Sequence, residues 1–273
     1  MRDTSKISIV TPSFNQGQYL EETIQSVLTQ SYSNLEYIII DGGSTDNSVE
    51  IIKKYEQYIT YWISEPDNGQ SHAINKGFAK ATGEIIAWIN SDDIYFPGTF
   101  KKVNEIFNDN PEIDVLYSNG VWINAKGNII LCRKNLPFHY NSWFYGMADP
   151  FQPEVFYRYK VLNKVGYVDE SFKMMMDREW WIRMENKGCK FKYIDDEFAA
   201  IRKYSDTKTS QLRAINDAER WRLHDIYWKG FRFKNHIMHR IHWKMLNYYY
   251  RAYRQISILK ERIFMDRNLF NKG

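Results

Sequence analysis

Lys6-Ile7-Ser8-Ile9-Val10-Thr11-Pro12-Ser13-Phe14-Asn15 sets a pattern that returns at Glu36-Tyr37-Ile38-Ile39-Ile40-Asp41-Gly42-Gly43 and at Glu84-Ile85-Ile86-Ala87-Trp88-Ile89-Asn90-Ser91-Asp92-Asp93. In each, a short β-branched or aromatic run gives way abruptly to small, hydroxyl or carboxylate side chains. Such runs read as buried strands, the first stopped by Pro12. Helical spacing fills the intervals: Tyr19, Leu20, Ile24, Val27 and Leu28 across residues 16–31, then Val49, Ile51, Ile52 and Tyr55 across 46–57. Tyr58 to Ser64 adds a short strand and Ser71 to Ala81 a third helix. Strands alternating with helices of this length predict βαβ units. The fold class is therefore α/β: a Rossmann-like α/β/α arrangement of three layers with a mostly parallel central sheet.

Beyond residue 112 the pattern changes. Val115-Leu116-Tyr117 reads as a strand, and Val121–Asn124 and Asn128–Leu131 flank Ala125-Lys126-Gly127 as a hairpin. Residues 135–156 are rich in Pro, Asn and aromatics and read as a loop lining something. Residues 177–187 are helical, closed by Lys187-Gly188. From 208 onward the spacing predicts two long helices broken near Lys229-Gly230, a helical extension to the sheet. The organisation is thus 1–205 as one α/β domain, with halves 1–112 and 113–205, and 206–273 as a helical tail.

Of 273 residues, 44% are hydrophobic and 26% charged, with 37 Lys/Arg against 33 Asp/Glu, which excludes wholesale disorder. Two cysteines, Cys132 and Cys189, exclude a disulfide scaffold. No apolar run reaches the ~18–20 residues of a membrane span, and the N-terminus has no signal-peptide pattern; a cytoplasmic protein is expected. The charge is uneven: residues 205–273 hold 15 Lys/Arg and 6 Asp/Glu, net +9, against net −5 for residues 1–204. This basic, aromatic tail reads as helices packed on the domain, as a peripheral contact with the cytoplasmic face of an anionic membrane, or as a nucleic-acid surface. No recognition module supports the last, so no nucleic-acid partner is expected.

In an open parallel sheet, ligands bind beyond the carboxyl ends of the strands. There lie Thr11-Pro12-Ser13-Phe14-Asn15, Asp41-Gly42-Gly43-Ser44-Thr45-Asp46 and Asn90-Ser91-Asp92-Asp93. Neither the Walker nor the dinucleotide glycine pattern occurs. An acidic rim binds a diphosphate only when a divalent cation bridges them, and Mg²⁺ and Mn²⁺ take one or two carboxylates plus substrate phosphates. Each acid also has a structural reading. Asp41 can hold its Asp-Gly turn, Asp46 can cap the second helix, and Asp92-Asp93 can open a turn before Pro97.

These three segments, with Glu65-Pro66-Asp67-Asn68-Gly69-Gln70 between them, resemble in order and spacing the family 2 glycosyltransferases, inverting nucleotide-sugar enzymes with the GT-A fold. The resemblance covers about residues 6–210. It implies that Thr11, Pro12 and Ser13 contact the nucleoside, with Asn15 nearby, and that Asp41 accepts a ring N–H of the base. A UDP- or dTDP-sugar would offer one. It implies a diphosphate-side loop through Asp67 and Gly69, a divalent cation (Mn²⁺ or Mg²⁺) held directly by Asp93, and Asp92 on the ribose or the metal's waters. Asn90 replaces the family's first acid.

Met175-Met176-Asp177-Arg178-Glu179-Trp180-Trp181 resembles the family's base-bearing helix start, which makes Asp177 the general base toward an acceptor hydroxyl; the same residue is well placed as a helix N-cap. Ile201–Lys208 resembles a mobile loop whose Arg202 and Lys208 close on the pyrophosphate, or is a solvated surface loop; Tyr204 stands where relatives carry His. His72 reads as a donor contact or, more simply, a capping residue. Asp149 and Gln152 read as contacts to the donor sugar or the acceptor, and Trp143 and Phe151 read either as faces that stack on a sugar or as core. The function expected is transfer of a sugar from a nucleoside-diphosphate sugar to a glycan or lipid-linked hydroxyl, in cell-surface polysaccharide synthesis. A non-catalytic carbohydrate- or nucleotide-binding protein on the same fold, and a nucleotidyltransferase, are the alternatives.

Overall fold

A computed structural model describes residues 4–136, 150–204 and 212–228, and single helical residues between 238 and 256. The chain runs β1 (Ile7–Ser13), α1 (Gly17–Leu28), β2 (Leu35–Asp41), α2 (Ser48–Lys54), β3 (Tyr61–Ser64), α3 (Gln70–Lys80), β4 (Ile85–Trp88), β5 (Ile94–Tyr95) and α4 (Thr99–Asp109). It continues as β6 (Val115–Asn124), β7 (Ile129–Arg133), β8 (Val155–Arg158), α5 (Lys160–Val165), α6 (Met176–Asn186), β9 (Phe191–Lys203) and α7 (Arg213–Tyr227).

One sheet carries the strands in the order β3-β2-β1-β4-β8-β6-β9-β5, with β7 paired to β6 outside that path. Its first four strands are parallel, and the long β6–β9 ladder is parallel too. β8 enters antiparallel between β4 and β6 and joins the two parts. Side chains alternate across the sheet with period two. Ile38, Ile40, Ile86, Trp88, Val115 and Tyr117 face a core built with α3, α5, α6 and α7. Tyr37, Ile39, Ile85, Ala87, Leu116 and Phe156 face the core built with α1, α2 and α4. Burial on both faces is why these strands read as continuous apolar runs rather than as alternating ones. The three-layer α/β fold is as expected, with a mostly parallel sheet.

β1 does not stop at Pro12. It pairs with β2 through Pro12 and Ser13, while its ladder with β4 ends at Val10. Pro12 thus sits where one side of β1 is already an edge, the place in a sheet where a missing N–H is tolerated. The first-turn geometry of the β6–β7 hairpin is as expected. Asn124 Oδ1 accepts the Lys126 and Asn128 N–H groups, and Gly127 takes φ +80°. The basic tail begins with packing: Leu223 and Trp228 of the α7 region join the same core as Trp180 and Trp181. Among the described residues no helix is long and apolar enough to cross a membrane.

Candidate active site

Two loops close over the ends of β1 and β2, and they staple each other. Asn15, with a left-handed φ of +52°, donates its N–H to Ser44 Oγ (2.8 Å) and accepts the Thr45 N–H on Oδ1 (2.8 Å). Asp46 accepts Ser48 N–H (3.0 Å) at the start of α2 and Gly17 N–H (2.9 Å) at the start of α1, so one carboxylate serves two helix N-termini.

Asp41 is fully buried. Its Oδ2 accepts Gly43 N–H (3.2 Å), Ser44 N–H (2.9 Å) and Ser64 Oγ (2.6 Å), and its Oδ1 accepts Ser44 Oγ (2.6 Å). In this structure Asp41 holds the turn. Thr11 is also fully buried, its hydroxyl against Tyr37 Oη at 3.1 Å, so it supports the rim from beneath instead of lining it.

Ser13 differs: it is 3% exposed, and its hydroxyl meets no hydrogen-bond partner among the described residues. A buried orphan hydroxyl at a strand end is a group waiting for a polar ligand. Beside it Phe14 projects 59% exposed, close to the Asp67 carboxylate over Gly42; a Cβ on Gly42 would lie 2.7 Å from Asp67 Oδ2. Phe14 was missed in the sequence reading, although an aromatic directly after a strand, inside the first motif, was the available signal. Asp67 itself accepts Gly69 N–H (2.6 Å), and Gly69 takes φ +109° to start α3. His72 Nδ1 accepts Asn68 N–H (3.1 Å), which is the capping role.

The acidic turn after β4 is held from within and from β9. Asp93 is 1% exposed; its Oδ1 accepts Arg202 N–H (2.9 Å) and its Oδ2 accepts Asn90 Nδ2 (3.0 Å). Both oxygens are thus engaged within the protein and Asp93 frames the turn, while Asp92 is the more open of the two carboxylates. Asp92 is half-buried and receives the Tyr204 hydroxyl (3.0 Å) on Oδ2. Burial raises the Asp92 carboxyl, against the pull of the Tyr204 hydroxyl and the Arg202 charge. Asp93 is raised well above the ordinary range by burial and by Asp92 beside it. Two carboxylates held together against their own repulsion are a site that a cation relieves. Among the described residues no group of three or more acidic, His or Cys side chains forms a complete metal cage. One or two carboxylates open to a phosphate-bearing substrate fit Mg²⁺ or Mn²⁺.

Arg202 departs from the expected loop. It lies in β9, not in a mobile loop, and its side chain is buried. Nε donates to Asp92 O (2.9 Å), one terminal nitrogen to the Asn124 and Ala125 carbonyls (3.3 Å each), and the other to Glu22 (2.5 Å), with the guanidinium 4.6 Å from the Tyr19 ring centroid. It braces the acidic turn, with four of its five N–H donors taken up inside the protein. Lys208, Asp149 and Trp143 lie outside the described residues. Phe151 stacks on Trp122 (5.2 Å, 11°) and takes the core reading, while Gln152 is buried and donates to Trp88 O (2.5 Å).

Asp177 sits in the first turn of α6, half-buried, after an N-cap that is Met175 and not Asp177. Its Oδ1 accepts Arg178 N–H (2.7 Å). Two consecutive residues of α3 connect this helix start to the acidic turn. Gln70 Nε2 donates to Asn90 Oδ1 (2.6 Å), and Ser71 Oγ donates to Phe172 O (3.0 Å) and contacts Met176 Sδ (2.8 Å). One helix N-terminus therefore holds both the Asn90–Asp93 turn and the segment bearing Asp177.

The family model for glycosyl transferase family 2 matches residues 8–166, more than half of the chain, including the strand ends that carry Ser13, Asp41, Asp92 and Asp93. The chain belongs to glycosyltransferase family 2. An uncharacterized glycosyltransferase of Nostoc sp. is 36% identical over 115 residues, 41% of this chain and 36% of that protein. Among solved structures, S. aureus TarS 1-349 in complex with UDP-GlcNAc aligns with TM-score 0.61 at 19% identity, over 75% of this chain and 60% of TarS. The mannosyltransferase PcManGT of Pyrobaculum calidifontis, in complex with GDP-Man and Mn²⁺, aligns with TM-score 0.61 at 14% identity, over 84% of this chain and 66% of that one. The family 2 chain thus spans just over a third of the Nostoc relative and under two thirds of TarS, and at these identities the two structures speak for the GT-A fold.

Proposed function

We propose that this family 2 chain transfers a sugar from a nucleoside-diphosphate sugar to a hydroxyl of a glycan or lipid-linked acceptor, with inversion, in polysaccharide synthesis. The observation that carries this reading is the Gln70–Ser71 junction, which ties the acidic turn and the Asp177 helix start to one helix N-terminus. The donor would lie over the β1 and β2 ends, with the Ser13 hydroxyl and the Phe14 ring available to the nucleoside. Asp92, framed by Asp93 and Asn90, would hold the divalent cation. When bound, the cation supplies positive charge against the diphosphate and its growing negative charge as it leaves. Asp177 takes the acceptor hydroxyl's proton as that oxygen bonds to the anomeric carbon. The bond from that carbon to the diphosphate oxygen breaks on the opposite face, and the electron pair leaves with the diphosphate. The uridine donor of TarS and the Mn²⁺ of PcManGT support a UDP-type sugar and a divalent cation without fixing either.

The same reading places the protein on the cytoplasmic face of a membrane. Residues 226–260 hold eight Lys/Arg and no Asp/Glu. Met238, Ile241, Met245, Tyr248 and Tyr249 are exposed at helical spacings of three and four. Basic residues beside an exposed apolar stripe suit anionic headgroups, and a lipid-linked acceptor would be met there.

The test is release of nucleoside diphosphate from UDP-, dTDP- and GDP-sugars with Mn²⁺, Mg²⁺ or EDTA, for the wild type and for Asp92→Asn and Asp177→Asn. Release from one donor, lost with EDTA and in both variants, is the expected result. Nucleotide binding with no turnover on any acceptor or vesicle points to the non-catalytic alternative, and absence of binding overturns the reading.

A further inference from the structure

Glu219 lies on α7, beyond the residues that match the family model. It is 7% exposed, and its carboxylate is aimed at backbone. Oε1 accepts Lys173 N–H (2.6 Å), and Oε2 accepts Met174 N–H (2.8 Å) and Met175 N–H (2.9 Å). Those three residues are the strap that leads into α6, and Met175 is its N-cap. A helix N-terminus has orphan N–H groups and favours a negative charge, and normally a residue of the same turn supplies the acceptor. Here it comes from 44 to 46 residues away.

The rest of α7 grips the same segment. Arg222 donates to Ser171 O (3.1 Å) and Ser171 Oγ (2.8 Å) and lies over the Phe172 ring, and Tyr227 Oη donates to Glu179 Oε1 (2.5 Å). On the other side Ser71 of α3 holds Phe172 O. Residues 171–179 are therefore clamped between the rim and the tail helix, and Asp177 sits inside the clamp. Asp177 accepts the Arg178 N–H within the first turn, and Glu219 holds the N-cap and the two residues before it.

We propose that Glu219 is a positioning residue for Asp177: it fixes the strap into α6 so that the Asp177 carboxylate is held toward the acceptor, which makes the first helix of the tail part of the catalytic unit. This rests on the reading of Asp177 as the base.

The full chain carries the test, as Glu219→Ala, Glu219→Gln, Asp177→Asn and Glu219→Ala with Asp177→Asn. The measurements are kcat and KM for UDP release from UDP-GlcNAc or whichever panel donor turns over, UDP affinity with Mn²⁺, and amide hydrogen exchange. Glu219→Ala is expected to lower kcat about tenfold with KM and UDP affinity within about twofold, and to strip exchange protection from residues 173–180 alone. In the Asp177→Asn background it is expected to cost less than about twofold more, because a residue acting through Asp177 has nothing left to act on. Glu219→Gln, which keeps the shape and one acceptor, is expected to fall between; where the alanine variant fails to fold, it carries the same comparison.

Unchanged protection at 173–180, equal kcat losses in both backgrounds, or affinity falling in step with kcat each overturn the proposal. Wild-type kcat in Asp177→Asn overturns the base reading itself, and is distinguishable from a dead Asp177→Asn beside a fully active Glu219→Ala.

Discussion

Asp92 and Asp93 are neighbours in sequence with opposite surroundings, and substitution separates them. Asp92 contributes little to the fold beyond the Tyr204 hydroxyl. Asp92→Asn is expected to melt within a few degrees of the wild type while losing Mn²⁺-stimulated UDP binding. Asp93 accepts a buried backbone N–H from Arg202 and the Asn90 amide. Asp93→Ala strands both donors and is expected to cost about 1–3 kcal/mol of stability, visible as a lowered urea midpoint before any ligand is added. Equal loss of stability in the two variants would refute this division.

Glu154, fully buried before β8, titrates for a different reason. It accepts the Ser118 hydroxyl and Phe198 N–H (2.9 Å), yet burial pushes its carboxyl from 4.5 up to about 8. A folded-state value above the unfolded one means that the folded protein binds the proton more tightly. The stability this contributes is whole below about pH 4.5, falls as pH rises through the window up to about 8, and is gone above it. Glu154→Gln keeps the shape without the charge. Its melting temperature is expected to match the wild type near pH 5 and exceed it near pH 9; a gap that does not change with pH would show that Glu154 is not the titrating group.

Elements were legible where burial wrote a simple pattern. β2 and β4 are apolar on both faces, so their runs stand out, and the helices between them carry clean spacing. β9 is not of this kind. Asp195, Asp196 and Glu197 interrupt it, and the sequence shows an acidic stretch where the structure shows a strand. Its ladder with β6 shifts register just there, and Lys134 and Lys102 neutralise Asp195 and Asp196 at 2.7 Å each. α4 was also missed: Gly98 at φ +81° precedes it in place of a Ser, Thr, Asp or Asn cap.

The acids of the site were legible one by one, because strand ends mark them. Their roles were not. What decides them comes from Arg202 and Tyr204, 109 and 112 residues further along the chain. The α3–β1 contact gives a test at this scale. Gly77 lets α3 lie directly on β1, where an added Cβ would fall 2.3 Å from Val10 Cγ1. Val10 is fully buried and stiff at χ1. Gly77→Ala gains helix propensity but is expected to lose about 1–2 kcal/mol net through overpacking. Adding Val10→Ala is expected to cost less than it does alone, a coupling that denaturant melts of the four proteins in the cycle would measure.

At the scale of the whole molecule, the chain's charge boundary does not coincide with its packing boundary. The basic tail begins near residue 205, but the core continues through α7: Leu223 is 2% exposed and Trp228 8%, in one cluster with Trp180, Trp181 and Phe172. A chain ending at residue 204 removes those side chains and the Glu219 clamp together and uncovers α6. It is expected to aggregate or to melt without cooperativity. A chain ending at residue 230 keeps α7 and loses most of the acid-free basic stretch. It is expected to melt like the full protein and to bind UDP equally well, yet not to cosediment with phosphatidylglycerol vesicles, as the full chain is expected to do at low salt and less so as added salt screens the association. Full vesicle binding by the 1–230 chain would move the membrane contact onto the domain itself, and a cooperative melt for the 1–204 chain would make α7 an ornament of the fold rather than a wall of its core.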